Sequence, residues 1–368
     1  MKTARLEQLQ TALTQAGLDA VAINPGPTLT YLTGVSFHLM ERPIVLLVLR
    51  DHEPVLVLPE FEMTKAARIP FKVNAFTYGE NPAEWGGVFK KAVMSLGLDG
   101  KKIGVEPRQM RLLEFNHVRG GAPGAEFPDA TEALASLRLR KDESEIGAMR
   151  HAVKVAQAAL EAILPSINVG ATEREIANAL SMELLKNGSD AELPFAPIVC
   201  AGPNSADPHA TPSDRRIERG DLLLVDWGAA TDGYISDLTR TFAVGEVEAE
   251  WKKIAQIVFE ANRAGCAAGR PGVPCASVDK AARAVIEQAG YGQYFTHRTG
   301  HGIGMEGHEE PYMRGDNMRM LYPGMVYTVE PGIYLAGRGG VRIEDNVVVT
   351  KSGVEVLSDM PRELRLVG

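Results

Sequence analysis

The stretch Arg298-Thr-Gly-His-Gly-Ile-Gly-Met-Glu-Gly-His308 decides how this chain is read. It holds two of the eight histidines, seven residues apart, in a glycine-rich setting. Glycines beside His301 predict that backbone comes close to a bound species there. The two histidines are too far apart for the helical i, i+4 pair that binds zinc, so they suit different roles, one as ligand and one as proton donor. Upstream lie Asp226 and Asp237, and downstream Glu330 and Glu344 each interrupt an apolar, β-branched run. Four carboxylates and an imidazole at strand-like positions are costly to bury. Two metal ions among them would explain the burial.

The upstream segment reads Asp221-Leu-Leu-Leu-Val-Asp226-Trp-Gly-Ala-Ala-Thr-Asp-Gly233-Tyr-Ile-Ser-Asp237. Asp232-Gly233 is a hairpin signal. The apolar run 222–225 predicts an interior strand that ends at Asp226, with Asp237 roughly opposite on the returning strand. Two ionised carboxylates this close repel unless a cation intervenes. Taken singly, each residue has an ordinary explanation. Turn aspartates are common, a loop histidine is more often a hydrogen-bonding residue than a ligand, and a strand glutamate usually faces water. Glu306, Glu309, Glu310 and Asp345 are expected to be ordinary in that last sense. Together, two Asp, one His and two Glu form an oxygen-rich set suited to Mn, Co, Zn or Fe in a dinuclear hydrolytic site. Metals ~3.5–4 Å apart can share bridging carboxylates and generate hydroxide near neutral pH.

Working outward, the chain of 368 residues is long enough for two domains. Residues 1–136 alternate helix and strand signals. A helix is predicted over 3–16, a strand over 19–24, a hairpin from 44–49 and 55–58, strands at 73–78 and 102–105, and a helix at 83–96. This is an α/β domain with a partly parallel sheet, and it has no phosphate loop. After a charged boundary at 137–144, residues 141–368 read as an α+β domain. Helices at 145–164 and 172–188 precede strands at 198–200, 222–226 and 234–244. Helices at 251–268 and 277–290 precede strands at 325–330 and 341–349. Thr172 and Glu175 form a capping box. The order helix-helix-strands occurs twice, which predicts a pseudo-twofold repeat with a site lined by both halves.

The net charge of −8 argues against nucleic acid or an anionic membrane as partner. The amphipathic N-terminus lacks a signal-peptide core, and no run reaches the ~20 apolar residues of a membrane span. Cys200, Cys266 and Cys275 show no paired spacing and are expected to be buried small hydrophobes. A reducing cytoplasm fits them.

The motifs VDWGA…YISDLTRTF, TGHGIGMEGHE, YTVEPGIY and GGVRIEDNVVV resemble those of the pita-bread metallopeptidases. The likeness is greatest to the Xaa-Pro peptidases, namely Xaa-Pro dipeptidase (prolidase) and Xaa-Pro aminopeptidase (aminopeptidase P). It covers nearly the whole chain, with residues 1–136 resembling the creatinase-type N-terminal domain. The resemblance implies metal ligands at Asp226, Asp237, His301, Glu330 and Glu344, with two divalent ions, Mn foremost. It implies substrate-side histidines at His209, within Asn204-Ser-Ala-Asp-Pro-His209, and at His308. A proline pocket is implied at His297 and Tyr334, and a substrate-anchoring arginine at Arg342. Arg342 also stands two residues before Glu344, which predicts one strand face for both. Gly307 and Arg298 depart from the usual pattern beside the histidines.

The implied chemistry is hydrolysis of the Xaa-Pro imide bond by a metal-bridging hydroxide, with Glu330 shuttling the proton. The metals and His209 or His308 would stabilise the oxyanion. Short proline-containing peptides are the implied substrates and a homodimer the implied assembly. The shortness of the chain favours a dipeptidase. An aminopeptidase acting on longer peptides stays open, as does, more remotely, a creatinase-like amidinohydrolase without metal.

Overall fold

The structure is a computed structural model that describes residues 2–368. Met1 lies outside the described residues. The chain forms two compact units that divide between Arg138 and Leu139.

The first unit is built on a five-stranded sheet. Its order is Asn74–Tyr78, Val55–Pro59, Val45–Leu49, Ala20–Ile23 and Ile103–Val105. The two outer pairings are parallel and the inner ones antiparallel. Val45–Leu49 and Ala20–Ile23 are buried along their whole length, as their unbroken apolar sequence requires. Phe89 of helix Pro82–Met94 and Val118 of helix Leu112–Gly121 fill one face. Three short helices, Pro27–Thr33, Leu112–Gly121 and Thr131–Arg138, carry no readable sequence signal. In the second of these, Leu112 and Leu113 face water, which spoils the amphipathic stripe.

The second unit has the expected two halves. Helices Glu143–Ile163 and Glu173–Lys186 pack through Val153, Leu160 and Leu180 onto Leu223, Val225 and Phe242. That sheet runs Arg365–Val367, Leu238–Val244, Leu222–Trp227, Ile198–Ala201. Helices Ala249–Ala268 and Ala276–Gln288 pack through Cys266 and Val278 onto Tyr327, Val329 and Val347. The second sheet runs Glu309–Met313, Gly300–Gly302, Val326–Val329, Asp345–Val349, Val354–Val356. Thr172 and Glu175 make the expected capping box. A second box joins Asp142 to Glu145 and starts its helix two residues earlier than the apolar periodicity suggests. The tight hairpin at Asp232-Gly233 has positive φ at both residues, 54° and 75°.

Two runs expected to be single strands are broken. The first breaks at Ser236-Asp237, between Tyr234–Ile235 and Leu238–Val244. The second breaks at Ile343-Glu344, between Gly339–Arg342 and Asp345–Val349. The breaks face each other across the seam between the halves. The Glu344 N–H donates to the Thr239 carbonyl at 3.0 Å. The Asn346 amide bonds both backbone groups of Asp237, accepting from its N–H at 3.0 Å and donating to its carbonyl at 2.7 Å. The long strands stay in their own sheets, an isolated antiparallel bridge between Thr239 and Glu344 joins the halves, and a carboxylate stands at each break.

Candidate active site

All five residues read as candidate ligands come together at this seam. Asp226 lies within its strand, opposite Thr239, which sets it diagonally from Asp237. Glu330 follows directly on Val326–Val329. His301, on the short strand Gly300–Gly302, has its Nε2 at 3.4 Å from Glu330 Oε1 and 3.8 Å from Asp237 Oδ2. Donor atoms of Asp237, His301 and Glu344 all lie within 4.8 Å of one another. The His301 Nδ1 lies 3.2 Å from the Gly302 carbonyl. A carbonyl only accepts, so Nδ1 carries the proton and Nε2 presents its lone pair to the carboxylates.

These groups sit at the base of a cavity of about 840 Å³ whose lining also includes Phe195, Pro208, His209, His297, Arg298 and His308. Burial pushes all four carboxyls above their ordinary range. The push is strong for Asp237 and Glu344, where neighbouring carboxylates add repulsion, and Glu330 is pushed up to about 7. Burial also holds the His301 imidazole well below its usual value and so neutral, the form that ligates. Asp226 Oδ1 is buried with no hydrogen-bond partner. A neutral imidazole, crowded carboxylates and an orphaned buried acceptor in one cavity fit a divalent cation, which would supply the missing positive charge.

Arg342 is buried and donates through four of its five N–H groups: to Asp226 Oδ2 at 2.6 Å, Thr239 Oγ1 at 3.0 Å, the Tyr334 hydroxyl at 3.0 Å and the Pro208 carbonyl at 3.2 Å. Arg342 and Glu344 both meet the Thr239 hydroxyl and both line the cavity, so they present to one side as their spacing predicts. The Tyr334 hydroxyl lies 2.9 Å from His297 Nε2, while His297 Nδ1 donates to the Arg298 carbonyl. Burial lowers the His297 pKa to about 4. Tyr334 therefore lies behind the cavity wall as a link between Arg342 and His297. His209 and His308 are exposed in the cavity. The His308 and His301 rings lie 3.9 Å apart between centroids. Arg298 stacks on Tyr312 and lies 3.3 Å from His308 Nδ1. A guanidinium only donates, so the exposed proton of His308 is on Nε2.

Three expectations need correction. Glu309 and Asp345 are not exposed strand residues. Glu309 is buried against Lys141 at 2.5 Å, and Asp345 is wholly buried against Arg240, Arg362 and Ser358. The glycines beside His301 do not open space for a ligand. A Cβ on Gly300 would lie 1.9 Å from the Thr328 carbonyl, and one on Gly302 would lie 2.2 Å from that of Glu310. They let neighbouring strands close in, and that closeness aims His301. Gly300→Ala is expected to destabilise the protein by about 2 kcal/mol through overpacking, read as a lower Tm. Sequence reasoning also missed Thr239, which donates to Glu344 Oε2 at 2.7 Å, Thr328, which accepts from the His301 N–H, and Asn346. All three sit two residues from a motif carboxylate, and proximity to the motifs was their only sequence signal.

Residues 147–351 match the profile of metallopeptidase family M24, and residues 5–140 match that of the creatinase/prolidase N-terminal domain. Among solved structures, a prolidase from Thermococcus sibiricus is 32% identical, with a TM-score of 0.94 over 100% of this chain and 99% of its own. A Xaa-Pro dipeptidase from Bacillus anthracis is 33% identical, with a TM-score of 0.90 over 100% of both chains. An X-Pro aminopeptidase from Thermotoga maritima is 31% identical, with a TM-score of 0.84 over 98% of this chain and 99% of its own. Family members are metal-dependent hydrolases of peptides, and the buried donor set at the seam agrees with that chemistry. With the profile spanning more than half of its length and the whole fold shared with these structures, the chain belongs to metallopeptidase family M24.

Proposed function

We propose that this protein is a dinuclear-metal peptidase that hydrolyses the Xaa-Pro imide bond, with dipeptides as preferred substrates. The observation that carries the reading is the clustering of Asp237, His301 and Glu344, with Asp226 and Glu330 beside them, in a cavity large enough for a short peptide. Asp226, Asp237, His301, Glu330 and Glu344 would hold the two divalent ions, with Mn as the native metal. When bound, such ions activate water and polarise a carbonyl.

The chain's own residues do the rest. Arg342, held by Tyr334 and Thr239, fixes the orientation of Asp226. Glu330 carries the proton from the attacking water to the leaving nitrogen. A proline nitrogen has no N–H and must be protonated as it departs. His308 and His209 donate to the developing oxyanion. Phe195, Pro208 and His297 wall the proline ring. Arg342 has only one N–H left for substrate, so anchoring of the carboxyl end falls to Arg298, which forms no ion pair among the described residues. That favours dipeptides, whose carboxylate lies next to the proline ring.

A second cavity of about 610 Å³ begins at His297 and Arg298 and offers room for a residue after proline, which favours an Xaa-Pro aminopeptidase instead. Turnover of Xaa-Pro and Xaa-Pro-Yaa decides between them. With Arg298→Ala, kcat/KM on Xaa-Pro is expected to fall roughly 10–100-fold, the worth of a charged hydrogen bond, while the tripeptide is spared. A wild-type preference for the tripeptide selects the aminopeptidase. Protein that neither retains metal when supplied with Mn nor cleaves any Xaa-Pro peptide overturns the reading.

We further propose a cytoplasmic homodimer. The three cysteines are free and buried, in keeping with a reducing compartment. No helix among the described residues is long and apolar enough to cross a membrane.

A further inference from the structure

The segment from Ala201, the last residue of its strand, to Ser213 runs through a 3-10 turn at Gly202–Ala206 and then an irregular stretch that carries His209 to the cavity. Its tip is exposed at Asp207 and His209, so the tip itself packs against little. The Pro208 carbonyl accepts from Arg342, and Gly340 N–H donates to Ser205 Oγ. What closes the loop is Glu173, the first residue of helix Glu173–Lys186.

Glu173 is fully buried, with a relative exposure of 0%. It forms no ion pair among the described residues. Its Oε1 accepts from the Ala201 N–H at 2.7 Å and from the Asn204 amide at 3.0 Å. Its Oε2 accepts from the Ser213 N–H at 3.0 Å, the Ser213 hydroxyl at 2.6 Å and the Asn204 amide at 3.2 Å. One carboxylate therefore gathers both ends of the loop and a residue within it. A buried carboxylate without a cation is costly, and this one is met only by donors from the loop and by the N-terminal end of its own helix. Nothing about capping the helix requires that arrangement, since Thr172 already does so.

We infer that Glu173 is a positioning residue for the peptidase reaction, a clasp that holds the Ala201–Ser213 loop so that His209 presents its imidazole to the substrate. This rests on the role proposed for His209 above. An amide cannot replace the carboxylate, because its NH2 would meet two or more of these donors with a donor of its own. The hydroxyl of Ser213 supplies one of the contacts, and Ser213→Ala weakens the clasp without disordering the helix.

The test is a double-mutant cycle between Glu173→Gln and His209→Ala, with metal content and KM measured alongside. Glu173→Gln is expected to lower kcat roughly 10–100-fold with metal content unchanged and KM within about threefold, as when an oxyanion donor is misplaced. In the His209→Ala background the same substitution is expected to change kcat less than twofold. An equal drop in both backgrounds, or no drop at all, overturns the inference. If Glu173→Gln does not fold, Ser213→Ala takes its place in the cycle with a smaller expected loss of about threefold to tenfold. A separate readout needs no activity. Amide exchange across residues 204–212 is expected to quicken at least tenfold in the Glu173→Gln protein, while Leu222–Trp227 stays protected. Unchanged exchange overturns the clasp. Quickened exchange in a wild-type protein that cleaves no Xaa-Pro peptide overturns only the proposed function.

Discussion

Glu344→Gln is expected to lower kcat/KM by at least about a thousandfold while raising the Tm of the metal-free protein by a few degrees. The two effects have one cause. Glu344 is buried, and both burial and the neighbouring Glu330 and Asp226 push its carboxyl well above the ordinary range. In the metal-free protein holding that carboxyl at neutral pH costs stability, because its charge is unfavourable there and the unfolded chain lacks the proton that would remove it; a neutral amide of the same shape relieves the cost while keeping a partner for the Thr239 hydroxyl. On the ligand role proposed for Glu344, the missing charge would weaken metal binding, and the loss is expected to be large because ligands act as a unit. The pH dependence of the metal-free protein follows in sign. A carboxyl raised on folding, such as Glu330 at about 7, binds more protons folded than unfolded. Its contribution is fully present below the ordinary carboxyl range of about 4 and is lost as pH rises through about 7. Metal-free Tm should therefore fall over that window, less steeply in Glu344→Gln, and added Mn should recover most at its upper end. Calorimetry with and without chelator measures all three. A metal-free variant less stable than wild type at pH 7 would contradict the argument.

Asp345→Ala is expected to cost about 3–5 kcal/mol of stability, enough to unfold a large share of molecules under mild denaturant. Asp345 is wholly buried, and its carboxyl is held below the ordinary range despite that burial by Arg240 and Arg362. Arg240 is itself buried and donates to Asp345 Oδ1 at 2.7 Å, to the Glu344 carbonyl at 2.7 Å, and to the carbonyls of Pro361 and Met360 at 3.0 Å. Removing Asp345 strands a guanidinium at the seam beside the carboxylate cluster. Arg240→Met with Asp345→Leu should recover part of the loss, since a buried pair replaced by apolar groups is often neutral. Urea unfolding of the single and double variants measures the difference. Equal destabilisation in the two would indicate that packing rather than charge is at stake.

Much of the site was legible because its residue types are out of place. Asp226, Asp237, Glu330 and Glu344 interrupt runs that otherwise read as buried strand, and His301 sits among glycines where a bulky side chain is unexpected. The helix-helix-strands repeat was legible from apolar periodicity and capping. Other parts could not be read. Asp345 adjoins Glu344 and has the same chemistry, yet its role depends on arginines at 240 and 362, which only the closed seam brings to it. Glu173 looks like any acidic residue in the first turn of a helix, and nothing local says that it is buried. The strand breaks at Asp237 and Glu344 were invisible because apolar strand-forming residues continue on both sides of each, and the contacts at the breaks, Thr239 with Glu344 and Asn346 with Asp237, come from the other half of the domain. The glycines were read correctly as close-approach positions, but the approaching group is a neighbouring strand.

The seam also sets an order of events during folding. Each half of the catalytic unit has its own sheet and helix pair, although Arg365–Val367 completes the first sheet from the far end of the chain. The contacts that complete the seam join residues 109 apart at Asp237 and Asn346, 105 apart at Thr239 and Glu344, and 116 apart at Arg342 and Asp226. Chain segments of that length are slow to close, and their entropy is recovered only when both surfaces are already shaped. Completion of the site is therefore expected late in refolding. Activity should return more slowly than the circular-dichroism signal of the sheets and helices, and simultaneous recovery would contradict that order.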